Sequence, residues 1–312
     1  MKKIAIIHGE PYSINSEIIY KSWLKYKSHN KKKIFIIGSK RILEAQFRKL
    51  KINVKLHQLN NDLILKKEKI NILDIDINFK NPFILNLNEK RNYIFKSINK
   101  AHELAIKKKI KGFINCPINK EIFKKNIGVT EYMASKNKSR SKEVMLIYNK
   151  LFSVSPITTH INIKDVIKKL KSQIIIKKVN TISKFYSQKF KKKVKIGILG
   201  LNPHNDEMRT NSFEKKVLIP LIKKLKKKGL KIKGPLSVDN VFLKDKIEYD
   251  VVVGMYHDQV LGPFKAINKF NGINVTLGLK YLRISPDHGT ASELVFKKKA
   301  NANSLINCIN FF

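Results

Sequence analysis

Three histidines occupy positions typical of a catalytic metal site. His160, His204 and His257 each lie at or just beyond the end of an apolar segment that predicts a buried strand. The carboxyl ends of parallel strands meet at one edge of a sheet, so the three imidazoles could converge there. Three imidazoles with open positions beside them suit a catalytic divalent metal. Taken singly, each histidine is equally well interpreted as a hydrogen-bonded structural residue.

Polar residues with chemical uses are concentrated between Met255 and Ala291. The apolar run 251–254 predicts a buried strand, and His257 and Asp258 follow it directly. Residues in loops that follow buried strands more often serve binding or catalysis than packing of the core. A second polar cluster, 115–120, follows another predicted strand and leads to Thr130, for which a plain helix N-cap is the alternative interpretation. We therefore expect catalysis or ligand binding at these strand ends.

Alternating strands and helices must position these residues. Apolar runs predict strands at 4–7, 34–38, 112–115, 194–201 and 251–254, and a hairpin over 144–148 and 152–155. Helical spacing appears at Ile94, Ile98, Ala101 and Ala105, and longer helices are predicted over 163–187 and 214–228. The 312 residues suffice for one large or two medium α/β domains. Residues 39–90 give no clear pattern.

The net charge of +42 would suit a nucleic-acid-binding protein, but the distribution of charge argues against one. Only six of the 65 basic residues are Arg, and the Lys residues are spread along the chain. Nucleic-acid surfaces favour Arg and interleaved aromatic residues. The chain is also rich in Ile and Asn, so codon bias towards A and T accounts for the Lys excess. We expect no specific nucleic-acid partner, only weak adhesion that salt removes.

Hydropathy and cysteine usage predict a cytoplasmic protein with no membrane partner. No apolar run approaches the roughly 20 residues that span a bilayer. The apolar stretch at 4–7 is too short for a signal sequence. Cys116 and Cys308 have no CxxC spacing, which indicates neither a disulfide framework nor a zinc ribbon. There is also no GxGxxG after the first strand, no P-loop, no HExxH and no GxSxG, so the Rossmann mode of NAD binding is not supported.

A series of motifs resembles the 4-hydroxythreonine-4-phosphate dehydrogenase family, in the family's order and with similar spacing. The motifs are the segments 115–120, 158–160, 200–204, 255–259, 272–279 and 285–291. The resemblance covers nearly the whole chain and implies a relative of isocitrate and isopropylmalate dehydrogenases. It implies a two-domain α/β fold with the active site in the interdomain cleft, and a homodimer. The implied domains are 1–125 with 290–312, and 126–289.

Residue by residue, the resemblance implies metal ligands, substrate contacts and catalytic residues. His160, His204 and His257 become ligands of a zinc, magnesium or cobalt ion shared between subunits. The implied substrate contacts are Thr130, Lys265, Asn274 and Arg283, with Lys265 also catalytic. Asp258 would orient an imidazole or take part in proton transfer. Lys and Arg complement phosphate and carboxylate groups, and Arg can bind two oxygens at once.

The implied reaction belongs to vitamin B6 synthesis. NAD, with NADP as the alternative, would oxidise 4-(phosphooxy)-L-threonine to a β-keto acid that decarboxylates to 3-amino-2-oxopropyl phosphate, on the route to pyridoxine 5'-phosphate. One alternative is a sister dehydrogenase of a 4-phosphorylated threonate or erythronate. Another is a catalytically degenerate binding protein of the same fold.

Three departures from the family pattern bear on the substrate. Val129 stands where the family has a substrate-contacting histidine. The family's glycine-rich piece after the second metal ligand is replaced by 205–210. The N-terminal Gly-Asp-Pro turn is Gly9-Glu10-Pro11, with 12–15 lacking the usual glycines.

Overall fold

The computed structural model describes residues 3–26, 34–123, 128–137, 143–243 and 247–312. Its strands are β1 Lys3–Ile7, β2 Ile34–Gly38, β3 Leu56–Gln58, β4 Ile70–Asp74, β5 Ile110–Asn115, β6 Val144–Tyr148, β7 Ser153–Pro156, β8 Lys195–Leu199, β9 Lys231–Leu236, β10 Val251–Gly254, β11 Ile273–Leu277 and β12 Leu282–Pro286. Its α-helices are α1 Asn15–Tyr26, α2 Lys40–Lys49, α3 Leu87–Ile106, α4 Val129–Lys136, α5 Val166–Lys169, α6 Ser172–Phe190, α7 Ile219–Lys227, α8 Val238–Phe242, α9 His257–Asn268 and α10 Asn303–Phe311.

The chain forms two compact units. Unit 1 comprises Met1–Lys124 and Lys280–Phe312, and unit 2 comprises Lys125–Leu279. The sequence-based bounds returned to the first domain at 290, whereas the structure returns at Lys280. The reason is that β12 pairs in parallel with β5, which places 282–286 in the sheet of unit 1.

Unit 1 is built on parallel strands in the order β3-β4-β2-β1-β5-β12. The inner strands β1, β2 and β5 are buried along almost their whole length, as expected of a parallel sheet whose faces are covered. Helix α3 begins with a capping box formed by Asn86 and Glu89. It buries the predicted apolar face, including Ile94, Ile98 and Ala101. The strand and helix predictions for this part of the chain are therefore confirmed.

Unit 2 contains strands in the order β11-β6-β7-β10-β8-β9. The predicted hairpin is confirmed as the antiparallel pair β6 and β7, and β7, β10, β8 and β9 are parallel. Ile147, Val154, Leu199, Val252 and Phe264 form the centre of an apolar cluster against this sheet. The order brings the carboxyl ends of β7, β10 and β8 side by side.

Two helices differ from their predictions. The region 163–187 is divided into a 3₁₀ turn, the short α5, and α6. A break at Leu170 and Lys171, where the backbone is not helical, separates them. The region 214–228 begins with a π-type turn, Glu214–Leu218, before α7. Across the described residues, every helix falls short of the length and apolarity needed to cross a membrane.

Candidate functional site

The three predicted metal-ligand histidines all follow adjacent parallel strands of unit 2. His160 follows β7, His204 follows β8, and His257 is the first residue of α9 after β10. Because β10 pairs with both β7 and β8, the three segments leave the same edge of the sheet. The sequence therefore predicted the edge at which these residues lie.

His160 and His257 are brought together. Their ring centroids are 5.4 Å apart, with an interplanar angle of 44°. Backbone hydrogen bonds continue beyond the ends of β7 and β10: the Ile157 N–H donates to the Gly254 carbonyl at 2.8 Å, and the Thr158 N–H donates to the Met255 carbonyl at 3.1 Å. These bonds fix the two histidine-bearing segments against each other.

His257 is oriented by its neighbour in the chain. Its Nδ1 lies 2.6 Å from Oδ1 of Asp258, whose side chain is almost fully exposed. A carboxylate at Nδ1 fixes the tautomer and ring orientation, and presents Nε2 as the nitrogen available for a metal. This contact is the geometry that supports an orienting role for Asp258.

His204 lies in an unusual turn. The five residues from His204 to Met208 all have positive φ, between 45° and 58°, although none is glycine. The His204 ring faces carboxylates: Nδ1 lies 3.4 Å from Oε1 of Glu207, and Nε2 lies 3.7 Å from Oδ2 of Asp239. In the described part of a single chain, no three His, Cys, Asp or Glu side chains are grouped so that they could hold a metal. The three-histidine site stays a prediction.

Two side chains that the sequence did not single out hold this edge together. Gln259 accepts from the Met255 N–H at 2.7 Å and donates to the Gly200 carbonyl at 2.7 Å, which connects the segments of His257 and His204. Glu214 is fully buried and accepts from the backbone N–H groups of Leu201 and Asn202 at 2.7 and 2.9 Å. The sequence did not reveal these roles, because the contacts join residues that are distant in sequence. The one available signal was that Gln259 lies within one of the motifs.

The predicted substrate contacts are divided between the units. Thr130 lies in the first turn of α4, Lys265 on α9 and Asn274 on β11, all in unit 2. Oδ1 of Asn274 is buried and, within the described residues, accepts no hydrogen bond. Arg283 lies on β12 in unit 1, is 3% exposed, and donates through Nε to Oδ1 of Asn115 at 2.6 Å.

The carboxyl edge of unit 1 carries a satisfied polar network. His8 ends β1, where Nδ1 lies 3.0 Å from the Tyr93 hydroxyl and Nε2 lies 3.0 Å from Oγ of Ser16. Complete burial lowers the pKa of His8 to about 4, against an opposing hydrogen bond with Gln46. Both ring nitrogens are in use, so this histidine is structural.

The same edge carries a buried ion pair and, within the described residues, buried polar atoms without a hydrogen-bond partner. Glu10, 3% exposed, lies 3.2 Å from Nζ of Lys90. Oδ1 of Asn15 and Nε2 of His288 are buried and have no hydrogen-bond partner among the residues that the structure describes. The segments carrying them are joined, since the Ile14 N–H donates to the Thr290 carbonyl at 3.1 Å.

Known proteins place the chain in a family. Residues 30–312 match the family model described as pyridoxal phosphate biosynthetic protein PdxA. A 4-hydroxythreonine-4-phosphate dehydrogenase from Sulfurihydrogenibium sp. is 34% identical over 99% of this chain and 97% of its own length. A relative from Oceanobacillus iheyensis, provisionally named D-threonate 4-phosphate dehydrogenase, is 31% identical over 98% of this chain and 96% of its own.

The fold agrees with a solved relative. The crystal structure of 4-hydroxythreonine-4-phosphate dehydrogenase from Klebsiella pneumoniae superposes with a TM-score of 0.85 at 25% identity, covering 100% of this chain and 98% of that one. The predicted α/β fold class and the resemblance are thus confirmed. Together with the matching family model, this similarity shows that the chain belongs to the PdxA family of pyridoxal phosphate biosynthetic dehydrogenases.

Proposed function

We propose that this protein is a homodimeric, divalent-metal-dependent dehydrogenase that uses NAD to oxidise 4-(phosphooxy)-L-threonine to a β-keto acid, which decarboxylates to 3-amino-2-oxopropyl phosphate. The observation that carries the proposal is the pairing of His160 with His257 at the carboxyl edge of unit 2. Relatives named for this substrate support the choice of reaction.

The imidazole pair fits a metal of intermediate softness. Nitrogen ligands favour zinc or cobalt over magnesium, which prefers oxygen. His160 and His257 would hold the ion together with His204, and Asp258 would keep the His257 ring in place. We propose that the set is completed on dimerisation, because the described part of one chain contains no group of three ligands. When bound, the ion would lower the pKa of the substrate hydroxyl and stabilise the enolate left by CO2 loss.

Three side chains of unit 2 are proposed to bind and orient the substrate. Lys265 offers a positive charge for phosphate or carboxylate, and a proton that can be exchanged near the reacting carbon. The Thr130 hydroxyl lies at the N-terminal turn of α4, where backbone N–H groups favour an anion. Oδ1 of Asn274, which has no hydrogen-bond partner among the described residues, would accept a hydrogen bond from a substrate hydroxyl or amino group. Arg283, in unit 1, is proposed as a fourth contact.

We propose that NAD, or alternatively NADP, takes the hydride and contacts the carboxyl edge of unit 1. The support is chemical: Oδ1 of Asn15 and Nε2 of His288 are buried polar atoms without partners among the described residues, and such atoms normally find one. The nicotinamide cofactor supplies the oxidising chemistry, and the protein contributes binding and orientation.

A sister reaction on 4-phosphorylated threonate is the second candidate. Val129 is the first residue of α4, directly before Thr130, and its side chain cannot hydrogen-bond to a substrate. The loss of one hydrogen bond to a charged group costs about 1.5–3 kcal/mol. The relative named for D-threonate 4-phosphate also favours this alternative.

Steady-state formation of NADH tests the proposal. The panel would be 4-(phosphooxy)-L-threonine, D-threonate 4-phosphate and D-erythronate 4-phosphate, each with zinc, cobalt or magnesium and with NAD or NADP. We expect the highest kcat/KM for 4-(phosphooxy)-L-threonine with NAD. We also expect this activity to be lost when the divalent metal is removed by a chelator. Higher kcat/KM on threonate would establish the alternative, and failure to turn over any of the three would favour a degenerate binding protein.

The variant Val129→His tests which of the two candidate substrates the pocket binds. If the pocket lacks only the family's histidine, this variant should lower KM for 4-(phosphooxy)-L-threonine about tenfold without changing metal affinity. An unchanged or higher KM in the metal-loaded variant would show that the pocket is built for another substrate.

A further inference from the structure

Lys178 is a lysine on the buried face of a helix. In α6 the buried residues are Ile175, Val179, Ile182 and Tyr186. Lys178 lies one helical turn from Ile175 and from Ile182, so its side chain projects from the same face as these core residues. A lysine in such a position normally has a specific partner for its ammonium group.

The partner is the backbone that leads to the histidine pair. Nζ of Lys178 donates to the carbonyl of Ile157 at 2.8 Å. The Ile157 N–H donates in turn to the Gly254 carbonyl, and the Thr158 N–H donates to the Met255 carbonyl. Lys178 therefore holds the backbone at the base of the segment that carries His160, where that segment is bonded to the strand preceding His257.

Two carboxylates influence the pKa of Lys178. Burial lowers the pKa of this lysine, and the charges of Glu143 and then Glu131 oppose that effect. Oε2 of Glu143 is buried with no hydrogen-bond partner among the described residues. Oε2 of Glu131 accepts from the Gly128 N–H at 2.9 Å, which fixes the first turn of α4 beside Thr130.

We propose that Lys178 is a positioning residue for the active site: its ammonium holds the Ile157 carbonyl. It thereby fixes the His160 segment in one arrangement. This role rests on the proposed function, since it assumes that His160 binds the metal.

Four variants separate this role from simple packing. Lys178→Met keeps the length of the apolar stem but removes the donor and the charge, whereas Lys178→Arg keeps both. The double variant Lys178→Met with Glu143→Gln also removes the negative charge of Glu143, which the single variant leaves without the nearby lysine. Lys177→Met is the matched control, because Lys177 is exposed and its side chain has no hydrogen bond or ion pair with the residues that the structure describes.

The first readouts do not depend on turnover. In Lys178→Met we expect cobalt affinity, followed by absorption titration, to fall about tenfold, as when an outer partner of a metal ligand is lost. Amide hydrogen exchange should rise in the peptide 157–161 and stay unchanged in 195–199. Lys178→Arg should retain most of the affinity, the double variant should recover part of it, and Lys177→Met should match the wild type.

Kinetics complete the test. Lys178→Met should also raise KM for the phosphorylated substrate several-fold, because the displaced His160 segment would hold metal and substrate less firmly. A folded Lys178→Met protein with wild-type cobalt affinity, exchange and KM would overturn the inference and leave the proposed function intact. If the wild type binds cobalt but turns over no substrate, while the variants show the expected changes in cobalt affinity and exchange, the proposed function alone is overturned. If Lys178→Met does not fold, a double variant that folds with no loss of cobalt affinity would also overturn the inference.

Discussion

The carboxyl ends of the strands in the two units use histidine in opposite ways. In unit 1, His8 ends a buried strand, and both of its ring nitrogens contact hydroxyl groups, from Tyr93 and Ser16. In unit 2, His257 also follows a buried strand, but a carboxylate contacts only its Nδ1, and its ring faces His160. The first histidine is held by the fold, and the second is the one that we propose as a ligand.

This difference shows what an apolar run followed by histidine can and cannot predict. The pattern predicts a strand end in both units. Whether the imidazole is structural depends on partners far along the chain, since Tyr93 reaches His8 from α3. At the edge of unit 2, the partner of His257 is the adjacent residue, Asp258. An imidazole with a nitrogen left over is the better candidate for binding.

The largest effects should separate the two kinds of histidine. His160→Ala and His257→Ala should each lower kcat/KM by more than roughly a hundredfold, because loss of an outer partner alone costs 10- to 100-fold. Their free energies of unfolding, from urea titration without metal, should change by less than about 1 kcal/mol. His57→Ala is the control and should keep both. Full activity in either variant would contradict the assignment; His29, which we also expect to tolerate alanine, lies outside the described residues.

Breaking the ion pair at the edge of unit 1 should affect stability. Lys90→Met leaves the carboxylate of Glu10 buried without its cation, which should cost about 3 kcal/mol. Adding Glu10→Gln should recover most of this loss. The exposed pair of unit 2, Lys192 and Asp250, provides the comparison: Lys192→Met should cost less than about 1 kcal/mol. Equal losses in the two single variants would show that burial does not distinguish these two ion pairs.

The pH dependence of stability should report on His8. Burial lowers its pKa from 6.5 to about 4 in the folded chain. Between these values the unfolded chain binds a proton that the folded chain does not. The contribution of His8 to the free energy of unfolding is therefore fully present above pH 6.5 and is lost as the pH drops towards 4. The loss should reach about 3 kcal/mol. Urea titrations across this range should show a shallower dependence in His8→Gln, and identical slopes would count against the assignment.

Substitutions in the turn after β8 should have the smallest effect on stability. The sign of that effect distinguishes a left-handed from a right-handed backbone. Met208 has φ of 54°, which costs an L-residue about 1 kcal/mol. Met208→Gly should therefore be more stable than Met208→Ala by about 0.5–1 kcal/mol, whereas in a right-handed helix glycine is less stable than alanine. Thermal unfolding of the two variants measures the difference. Greater stability of the alanine variant would show that this turn is not left-handed.

Much of the fold was predictable because local patterns determine it. The burial of Ile94, Ile98 and Ala101 follows from their spacing, and short apolar runs predicted β1, β2, β5 and β10. Residues 39–90 were not predicted. Strand β3 has only three residues and is a partly exposed edge strand, so the short alternating piece around it, 54–59, was not a sufficient signal.

The positions of the candidate site residues at the strand ends were predictable, but the contacts that connect them were not. The motifs identified His160, His204 and His257, and parallel pairing explains why they lie at one edge. Gln259 joins Met255 to Gly200, and no local pattern reveals a contact between residues so far apart. The left-handed turn at His204 was also hidden, because Glu207 and Met208 rarely adopt positive φ.

Anomalous X-ray scattering at the zinc edge, from crystals of the zinc-loaded protein, tests the central claim most directly. We predict a single strong peak per active site, at about 2.0–2.2 Å from ring nitrogens of His160 and His257, with His204 as the third ligand. His8 should have no peak near it. A zinc peak away from His160 and His257, in protein whose activity is saturated by zinc, would contradict the account.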